Sequence, residues 1–366
     1  MIEILTSGLM NSVQDLGRPG FLDQGIGRGG AMDRPALRIA NLLLGNDEGV
    51  AALEIAIFPF RLRFIEPAKF SVTGANCPVT LDGELLPPWF TGTAMAGDEL
   101  RLDPPSEGLR AYVALAAGID LPRVLGSRAT DLKSVFGGLE GRALMRGDRL
   151  ATGSLFSPAG RSAERMRGDE GVSEHSIGAS RTPSSGAVRH LLPAGEKRAL
   201  VAHGADPFYF RECLGGSPQG EALTLRVMPG AEFDAFTDAA RDAFFSTDHR
   251  VSSDNNRQGM RLEGPALALT YKLELMSHGI MPGTIQVPPS GAPVIQLAEA
   301  NTCGGYPKFA HVIEPDLWKL AQAPSGSAMR FVRIDRGAAI DAIRTEELKL
   351  RRLKNLMPVM AVRKAG

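Results

Sequence analysis

Polar side chains that could bind a small molecule concentrate in the last third of the chain, between Gly283 and Gln322. Two short segments there, Thr284–Val287 and Val294–Leu297, have the length and apolar content of β-strands, and turns rich in Gly and Pro flank them. Loops on a rigid scaffold often carry binding residues. The polar residues of this stretch that are candidates for a site are Gln286, Gln296, Glu299, Asn301, Thr302, Tyr306 and Lys308. The alternative is a β-meander whose turns are polar because they are exposed.

A second polar group lies near the N-terminus, in Ser12–Phe21, which reads SVQDLGRPGF. Its glycines and its proline predict a turn, and Gln14, Asp15 and Arg18 lie beside that turn. These three side chains could contact a ligand. Alternatively, an ion pair between Asp15 and Arg18 could stabilise the turn.

Two further loops carry charged candidates. Arg128 lies in Ser127–Asp131, where it could bind a carboxylate, or the residues could form a hydrogen-bonded loop. Asp254 and Arg257 lie in Ser252–Gln258, a run dense in donors and acceptors, which could equally be a hairpin loop.

Composition excludes several classes of protein. The 366 residues contain 41 basic and 41 acidic side chains, so no basic surface points to nucleic acid. No apolar run approaches the roughly 18 residues of a membrane-spanning helix, and the N-terminus lacks the basic region of a secretory signal. The three cysteines are far apart, which indicates neither a disulfide framework nor a metal site and fits a reducing cytoplasm.

Motifs of independent catalysis are missing from the sequence. Neither GxxxxGK[ST], HExxH nor GxSxG occurs. Gly25–Gly30 matches GxGxxG, but the half-polar residues before it do not form the buried strand that a dinucleotide fingerprint requires. We therefore reject nucleotide binding at this motif.

The coarse secondary structure is mainly β with a few helices, in the manner of a small barrel or sandwich. Asp33 followed by Pro35 predicts a helix start. A stripe of phenylalanines predicts a second helix over Ala231–Phe245, and Ala338–Leu356 predicts a terminal helix that docks on the barrel or on another subunit. The polar run Ser157–Ser185 predicts a linker. The expected organisation is a first domain over 1–156, a linker or exposed loop over 157–186, a second domain over 187–335, and a helix and tail over 336–366.

Ordered motifs from about Leu5 to Val332 resemble one known family. They include SVQDLGRPGF, GAMDRPALRIANLLLGN, AGIDLPRVLGSRATD, GGLEGRALMRGD, GTIQVPPSGAPVIQL, GGYPKFAHVI and DLWKLAQ. The family is that of allophanate hydrolase subunit 2, also called the biotin-dependent carboxyltransferase or KipA family, and its stand-alone bacterial members include the C subunit of 5-oxoprolinase. The resemblance implies two cyclophilin-like β-barrel domains in tandem.

The same resemblance implies an enzyme of several polypeptides. Its partners would be a protein like allophanate hydrolase subunit 1 (KipI-like, the B subunit of 5-oxoprolinase) and a third protein, the A subunit of 5-oxoprolinase. The complex would open 5-oxoproline to L-glutamate with ATP. Two alternatives stay open: carboxyl transfer from carboxybiotin to urea or another amide, and non-catalytic regulation of a KipI-like kinase inhibitor. Residues Ser253–Leu262 look closer to the carboxyltransferase branch, whereas Gly283–Pro307 look closer to the oxoprolinase branch.

Under the oxoprolinase interpretation the polar residues take provisional roles. Arg128, Arg257 or Lys308 would bind a carboxylate or a developing phosphate charge, and Asp15 or Asp254 would orient water. The expected catalytic residues are Asp15, Asp254, Arg257 and Lys308, and the expected substrate-binding residues are Gln14, Arg18, Arg128, Gln286, Thr302 and Tyr306. If the loops of the two halves converge, Arg18, Arg257 and Lys308 would together form a cationic pocket for a small carboxylate. Otherwise the loops are unrelated turns.

Overall fold

The computed structural model describes residues 1–153 and 222–362, with side chains to residue 355. The predicted linker Ser157–Ser185 lies outside these residues. So do two further ranges: Val188–Leu192, for which the sequence predicts a strand, and Pro207–Cys213, for which it does not decide between a strand and a short helix. The expected boundary between the two domains lies outside them as well.

The first half consists of two antiparallel sheets. The six-stranded sheet has the order β11-β1-β4-β9-β6-β7, with β1 Ile2–Thr6, β4 Phe60–Phe64, β6 Val79–Leu81, β7 Glu84–Leu86, β9 Glu99–Leu102 and β11 Arg149–Leu150. The five-stranded sheet has the order β2-β3-β10-β5-β8, with β2 Ser12–Gln14, β3 Ala52–Ile55, β5 Ala68–Asn76, β8 Phe90–Ala94 and β10 Glu107–Leu115.

Alternating side chains build the core that the two sheets share. Along β4, Phe60, Leu62 and Phe64 are fully buried, because successive strand residues point to opposite faces and these three face inward. Phe70 of β5 joins this core, with its ring centroid 5.3 Å from that of Phe64 and 5.7 Å from that of Phe90. The strand alternation visible in the sequence thus places one face of each sheet against the other.

A helix, α1 (Arg34–Leu43), covers the outer face of the five-stranded sheet. Asp33 caps it, because its Oδ1 accepts a hydrogen bond of 2.9 Å from the amide of Ala36, and Pro35 occupies the first turn. The helix start predicted from Asp33 and Pro35 is confirmed.

The second half is a closed seven-stranded barrel in the order β12-β19-β16-β17-β14-β13-β20. Its strands are β12 Leu223–Pro229, β13 His249–Asn255, β14 Gly259–Glu263, β16 Thr284–Gln286, β17 Val294–Gln296, β19 Lys308–Val312 and β20 Ala328–Arg333. A separate pair joins β15 (His278–Gly279) to β18 (Cys303–Gly304). The first and last barrel strands, β12 and β20, are parallel neighbours.

The predicted helix over Ala231–Phe245 is wrong in its first half. A 3₁₀ turn spans Phe233–Ala235, the backbone is then extended at Phe236, and the helix α2 spans only Asp238–Ser246. Thr237 caps α2 through a hydrogen bond from the amide of Ala240. The phenylalanine stripe belongs to the core as expected, since Phe244 stacks 4.5 Å from Phe331.

Two helices complete the fold. The short α3 (Leu317–Gln322) follows a 3₁₀ turn, and α4 (Arg336–Val362) is the predicted terminal helix. The terminal helix packs on the first half: Leu350 and Leu353 join a cluster with Ile39, Leu42 and Leu43 of α1. In addition, Arg38 of α1 donates two hydrogen bonds to Glu347, of 2.6 and 3.0 Å.

The contact between α4 and α1 predicts a pH dependence of stability. Burial raises the pKa of Glu346 to about 7, against the opposing charge of Arg38 and with help from Glu347. A carboxyl group whose pKa is higher in the folded protein stabilises it at low pH, and this contribution is lost as the pH rises through the folded value. Relative to Glu346→Gln, the protein should lose roughly 1–2 kcal/mol of unfolding free energy between pH 5 and 8, after allowance for partial exposure.

Urea unfolding of both proteins at the two pH values measures this difference. Asp341→Asn is the control, because it removes an exposed carboxylate from the same helix. If the difference between Glu346→Gln and the wild type is the same at both pH values, Glu346 is ionised normally and the expectation fails.

The mainly β fold predicted from the sequence is confirmed, and the second half closes into a barrel. Among the helices of residues 1–153 and 222–362, none combines the length and the apolar character needed to cross a membrane.

Candidate functional site

Loops from the two halves meet at one junction. The glycine-rich loop Gly25–Gly30 contacts residues 298–306, which we call the connecting segment: the amide of Gly29 donates a 3.2 Å hydrogen bond to the carbonyl of Ala298. Lys133 of the first half also donates to Asn301 Oδ1. The loop follows a 3₁₀ turn, Leu22–Gln24, and no strand directly precedes it among the described residues, which agrees with the rejection of a dinucleotide site.

Asp15 organises the first-half side of the junction. Its Oδ1 accepts hydrogen bonds of 2.7 Å from the amide of Gly17 and from the hydroxyl of Ser127, and its Oδ2 accepts one of 2.6 Å from the amide of Arg128. A carboxylate with three donors is strongly held. In this arrangement Asp15 ties the turn at residue 17 to the loop at residue 127.

Gln14 and Arg128, which the sequence predicts to contact substrate, both use their side chains for contacts within the first half. Gln14 is fully buried, and its Nε2 donates to Ser12 Oγ and to the carbonyl of Thr130. The side chain of Arg128 donates to the carbonyl of Leu121 and pairs with Asp120 at 2.9 Å. Arg128 therefore contributes its backbone amide, and not its guanidinium, to the junction.

Arg18 lies at the centre of the junction and is only 1% exposed. Its Nη2 donates to the carbonyl of Ala129, and its guanidinium carbon lies 4.5 Å from the ring centroid of Phe136. Burial lowers the pKa of Arg18, while Asp131, Asp15 and Glu299 act in the opposite direction. Arg18 and Asp15 therefore attract each other only at longer range and do not form the expected ion pair, because both oxygens of Asp15 accept hydrogen bonds from other donors.

Arg257 joins the halves through a buried ion pair. The side chain is 2% exposed. Its Nε donates a hydrogen bond of 2.5 Å to Glu299, and its Nη2 donates one of 2.7 Å to the carbonyl of Gly30. Its Nη1 pairs with Glu54 of β3. Burial opposes the charged guanidinium, but Glu54 and Glu299 outweigh it and hold the pKa of Arg257 well above its usual value. All three nitrogens are engaged, so Arg257 is a structural link and not a free cation.

The partners of Arg257 extend into a buried network. The Tyr112 hydroxyl donates to Glu54 at 2.7 Å and accepts from the amide of Asp33 at 2.8 Å. Gln322 of α3 donates to Asp33 at 2.7 Å. Burial, with a contribution from Glu54, raises the pKa of Asp33 to about 6 despite hydrogen bonds from Gln322 and the amide of Ala36. Arg110 also belongs here, with its Nε 3.7 Å from Glu54 Oε1. We call the set formed by Asp33, Glu54, Arg110, Tyr112, Arg257, Glu299 and Gln322 the junction network.

Lys308 belongs to a second cluster, at one rim of the barrel. It opens β19 beside Gln286, the last residue of β16, and is 7% exposed. Its Nζ is in hydrogen-bond contact with Nε2 of His278, which lies 3.6 Å from Glu232 Oε1. Burial lowers the pKa of Lys308, and Glu232 partly offsets that effect. We call Glu232, His278 and Lys308 the rim cluster.

The tautomer of His278 follows from its other contact. Nδ1 lies 2.9 Å from the carbonyl of Met276, so Nδ1 carries a proton and donates it there. Nε2 of the neutral ring is then an acceptor for Lys308. This geometry couples a lysine with a lowered pKa to a histidine whose acceptor faces it, which is an arrangement suited to proton transfer.

The connecting segment runs between the junction and the rim cluster. The carbonyl of Thr302 accepts a 2.9 Å hydrogen bond from the amide of Ile280, and Cys303–Gly304 pairs with His278–Gly279. Gln286 is buried and donates to the carbonyl of Tyr306, whose ring is half exposed. The backbone of the connecting segment therefore links the junction to the rim cluster, and Thr302 and Tyr306 lie along it, with Gln286 bonded to Tyr306.

Asp254 lies away from both groups. It is exposed at the tip of the β13–β14 hairpin, where it pairs with exposed Arg261 at 2.7 Å. The loops of the two halves meet at the junction, but they do not present three free cations: Arg257 is neutralised in the junction network, and Lys308 lies in the rim cluster against His278.

Sequence reasoning does not single out Glu54 or Glu232. Glu54 lies in a strand whose neighbours are all buried, and a carboxylate within such a run is itself a sign of a buried partner. Glu232 carries no comparable signal, because its contact with Lys308 spans 76 residues. His278 has in the sequence only the signature of a packed or surface histidine.

This geometry defines a protein of two β-rich halves with polar loops gathered where they meet. Residues 24–333 match the family model described as carboxyltransferase domain, subdomain A and B, and the chain belongs to this family. The family resemblance read from the motifs is therefore confirmed.

Two bacterial proteins are similar to the chain over nearly its whole length. The C subunit of 5-oxoprolinase from Escherichia coli (strain K12) is 37% identical over 342 residues, which cover 93% of this chain and 94% of that protein. The C subunit of 5-oxoprolinase from Haemophilus influenzae is 32% identical over 357 residues, covering 98% and 99%. The crystal structure of the K. lactis urea amidolyase matches with a TM-score of 0.77 at 26% identity, over 96% of this chain and 20% of that one.

Proposed function

We propose that this chain is the C subunit of an ATP-dependent 5-oxoprolinase, which opens 5-oxoproline to L-glutamate. The near full-length similarity to two proteins that carry this subunit name supports the assignment. The observation that carries the chemistry is the rim cluster, in which Lys308 is buried against His278 and Glu232.

The reaction requires proton transfers that the rim cluster can perform. Opening the lactam adds water to the carbonyl carbon and breaks the C–N bond, so one proton leaves the water and one is added to the departing nitrogen. Lys308 can supply or accept a proton more readily than an exposed lysine, because burial lowers its pKa. His278 can take up a proton from Lys308 at Nε2 and return it, and Glu232 would stabilise the positive charge on the ring.

ATP would activate the amide by phosphorylating its oxygen, since amide resonance otherwise makes the carbon unreactive. The glycine-rich loop does not fit a phosphate: the carbonyls of Arg28 and Gly30 point into the junction, toward the amide of Arg18 and toward Arg257. We therefore propose that ATP binds a partner protein. The proposed partners are the KipI-like B subunit and the A subunit, in a cytoplasmic hetero-oligomer.

The purified chain alone should not hydrolyse 5-oxoproline, because under this proposal the chain supplies the proton transfers while a partner protein binds the ATP that activates the amide. Glutamate formation is measured with ATP for the chain alone, for the partners alone and for the reconstituted complex. Turnover should require all components. Sustained ATP-dependent turnover by the isolated chain would show that the division of labour is wrong.

A second candidate is the carboxyltransferase component of a biotin-dependent urea or amide carboxylase. The structural match to the K. lactis urea amidolyase supports it. Purification of the chain with its natural partners separates the possibilities: the A and B subunits support the oxoprolinase, and a biotinylated carrier with a biotin carboxylase supports carboxyl transfer. A KipI-like kinase inhibitor as the sole partner would support the regulatory alternative.

A further inference from the structure

Arg18 has donors that the protein leaves unused. Only Nη2 donates a hydrogen bond, to Ala129, whereas Nε and Nη1 are buried and have no partner among the described residues. A buried polar group without a partner costs free energy, and more so when it is charged. Such a group calls for a partner, which a water molecule, an ion or a ligand can supply.

Nearby acids do not satisfy these donors. Asp15 accepts hydrogen bonds from three other donors. Asp131 accepts one from the amide of Ser134, and Glu299 pairs with Arg257. They attract the guanidinium from a distance and partly offset the lowering of its pKa by burial. An arginine side chain is in practice always protonated, so Arg18 is a cation with unused N–H groups.

Room for a methyl-sized group adjoins Nη1 on the side of the glycine-rich loop. A methyl group built on Gly29 would lie 3.3 Å from Nη1, and apart from chain neighbours no other atom of the described residues would lie within 4 Å of it. The same construction on Gly27 reaches only the carbonyl of Ala300, at 3.6 Å. Phe136 covers one face of the guanidinium and fixes its plane.

We propose that Nη1 of Arg18 binds the carboxylate of a small substrate beside Gly29. The inference rests on the proposed function in its choice of ligand, because 5-oxoproline is a lactam with one carboxylate. A fixed guanidinium recognises a carboxylate by charge and by directed N–H groups. Gly29 serves the site by its missing side chain, and its φ of +59° also favours glycine.

The test measures binding of 5-oxoproline to the isolated full chain by calorimetry, with 2-pyrrolidinone as the matched lactam that lacks a carboxylate. The wild type should bind 5-oxoproline about ten- to a hundredfold more tightly than 2-pyrrolidinone, which is the usual range for one charged hydrogen bond. Arg18→Met should remove this advantage and leave the weak binding of 2-pyrrolidinone unchanged.

Two glycine variants keep the test decisive if Arg18→Met does not fold. Gly29→Ala places a methyl group against Nη1 and should weaken 5-oxoproline binding by a similar factor. Gly25→Ala is the matched control, because its φ is +77° and its nearest contact would be Thr302 Oγ1 at 4.0 Å. It carries a similar backbone penalty without approaching Arg18.

Equal binding of 5-oxoproline and 2-pyrrolidinone by the wild type would overturn the inference, and so would undiminished 5-oxoproline binding by both Arg18→Met and Gly29→Ala. Neither result touches the proposed function, which is judged by turnover of the complex. Conversely, a complex that does not turn over 5-oxoproline would refute the proposed function even if Arg18 binds carboxylates.

Discussion

Replacing Glu54 by alanine should lower the free energy of unfolding by about 3–5 kcal/mol, the range for breaking a buried ion pair on one side. The substitution leaves Arg257 buried with Glu299 as its remaining carboxylate and removes the acceptor of Met32 and Tyr112. Chemical denaturation followed by circular dichroism measures the change.

The exposed ion pair of Asp254 and Arg261 on the β13–β14 hairpin supplies the control for this experiment. Asp254→Ala removes a carboxylate that also pairs with an arginine but is exposed, so its cost should stay within about 1 kcal/mol. In addition, Glu54→Gln combined with Arg257→Met should cost less than the sum of the single changes, because neither member of the Glu54–Arg257 pair is then left charged without the other. The loss of the pairing with Glu299 is common to Arg257→Met and the double variant. If Glu54→Ala costs no more than Asp254→Ala, the junction network does not hold the halves together.

Replacing Lys308 by methionine should reduce turnover of the reconstituted complex by about a hundredfold to ten-thousandfold, the usual contribution of a positioned acid or base. Methionine keeps the unbranched chain but cannot transfer a proton. The effect should fall on kcat more than on KM, because the amine acts in the transition state and Arg18 is proposed to hold the carboxylate. Glutamate formation at varied 5-oxoproline gives both constants.

Lys272→Met is the matched control for this substitution, since Lys272 is an exposed lysine of the same half that pairs with Glu274. It should leave turnover unchanged. Within the rim cluster, His278→Ala should resemble Lys308→Met in direction. Full activity of Lys308→Met in a folded complex would remove the rim cluster from the mechanism.

Local patterns predicted the strands at Thr284–Val287 and Val294–Leu297 and the start of α1. Short apolar runs and the Gly and Pro residues that flank them depend on neighbours in sequence, so they are readable without the fold. Asp33 and Pro35 likewise act within a single helical turn. The helix over Ala231–Phe245 failed because the spacing of its phenylalanines is also met by a broken segment, in which Phe236 bridges to Leu269 in an extended conformation.

The site was predictable as a set of loops but not as a set of contacts. Arg257 and Glu54 are separated by 203 residues, and no local sequence pattern predicts a contact over that separation. The sequence suggested three equivalent cations, whereas the structure differentiates them by partner: two carboxylates for Arg257, a histidine for Lys308, and unused donors for Arg18. Burial and partner identity, which set these differences, arise only from tertiary packing.

The parallel pairing of β12 with β20 has a consequence for synthesis on the ribosome. Leu223–Pro229 emerges about a hundred residues before its barrel neighbour Ala328–Arg333, and until then one edge of β12 has no strand beside it. Unpaired strand edges promote association between nascent chains. The second half can close only after Ala328–Arg333 has emerged, so nascent chains halted before Ala328 should be the ones that need protection by chaperones.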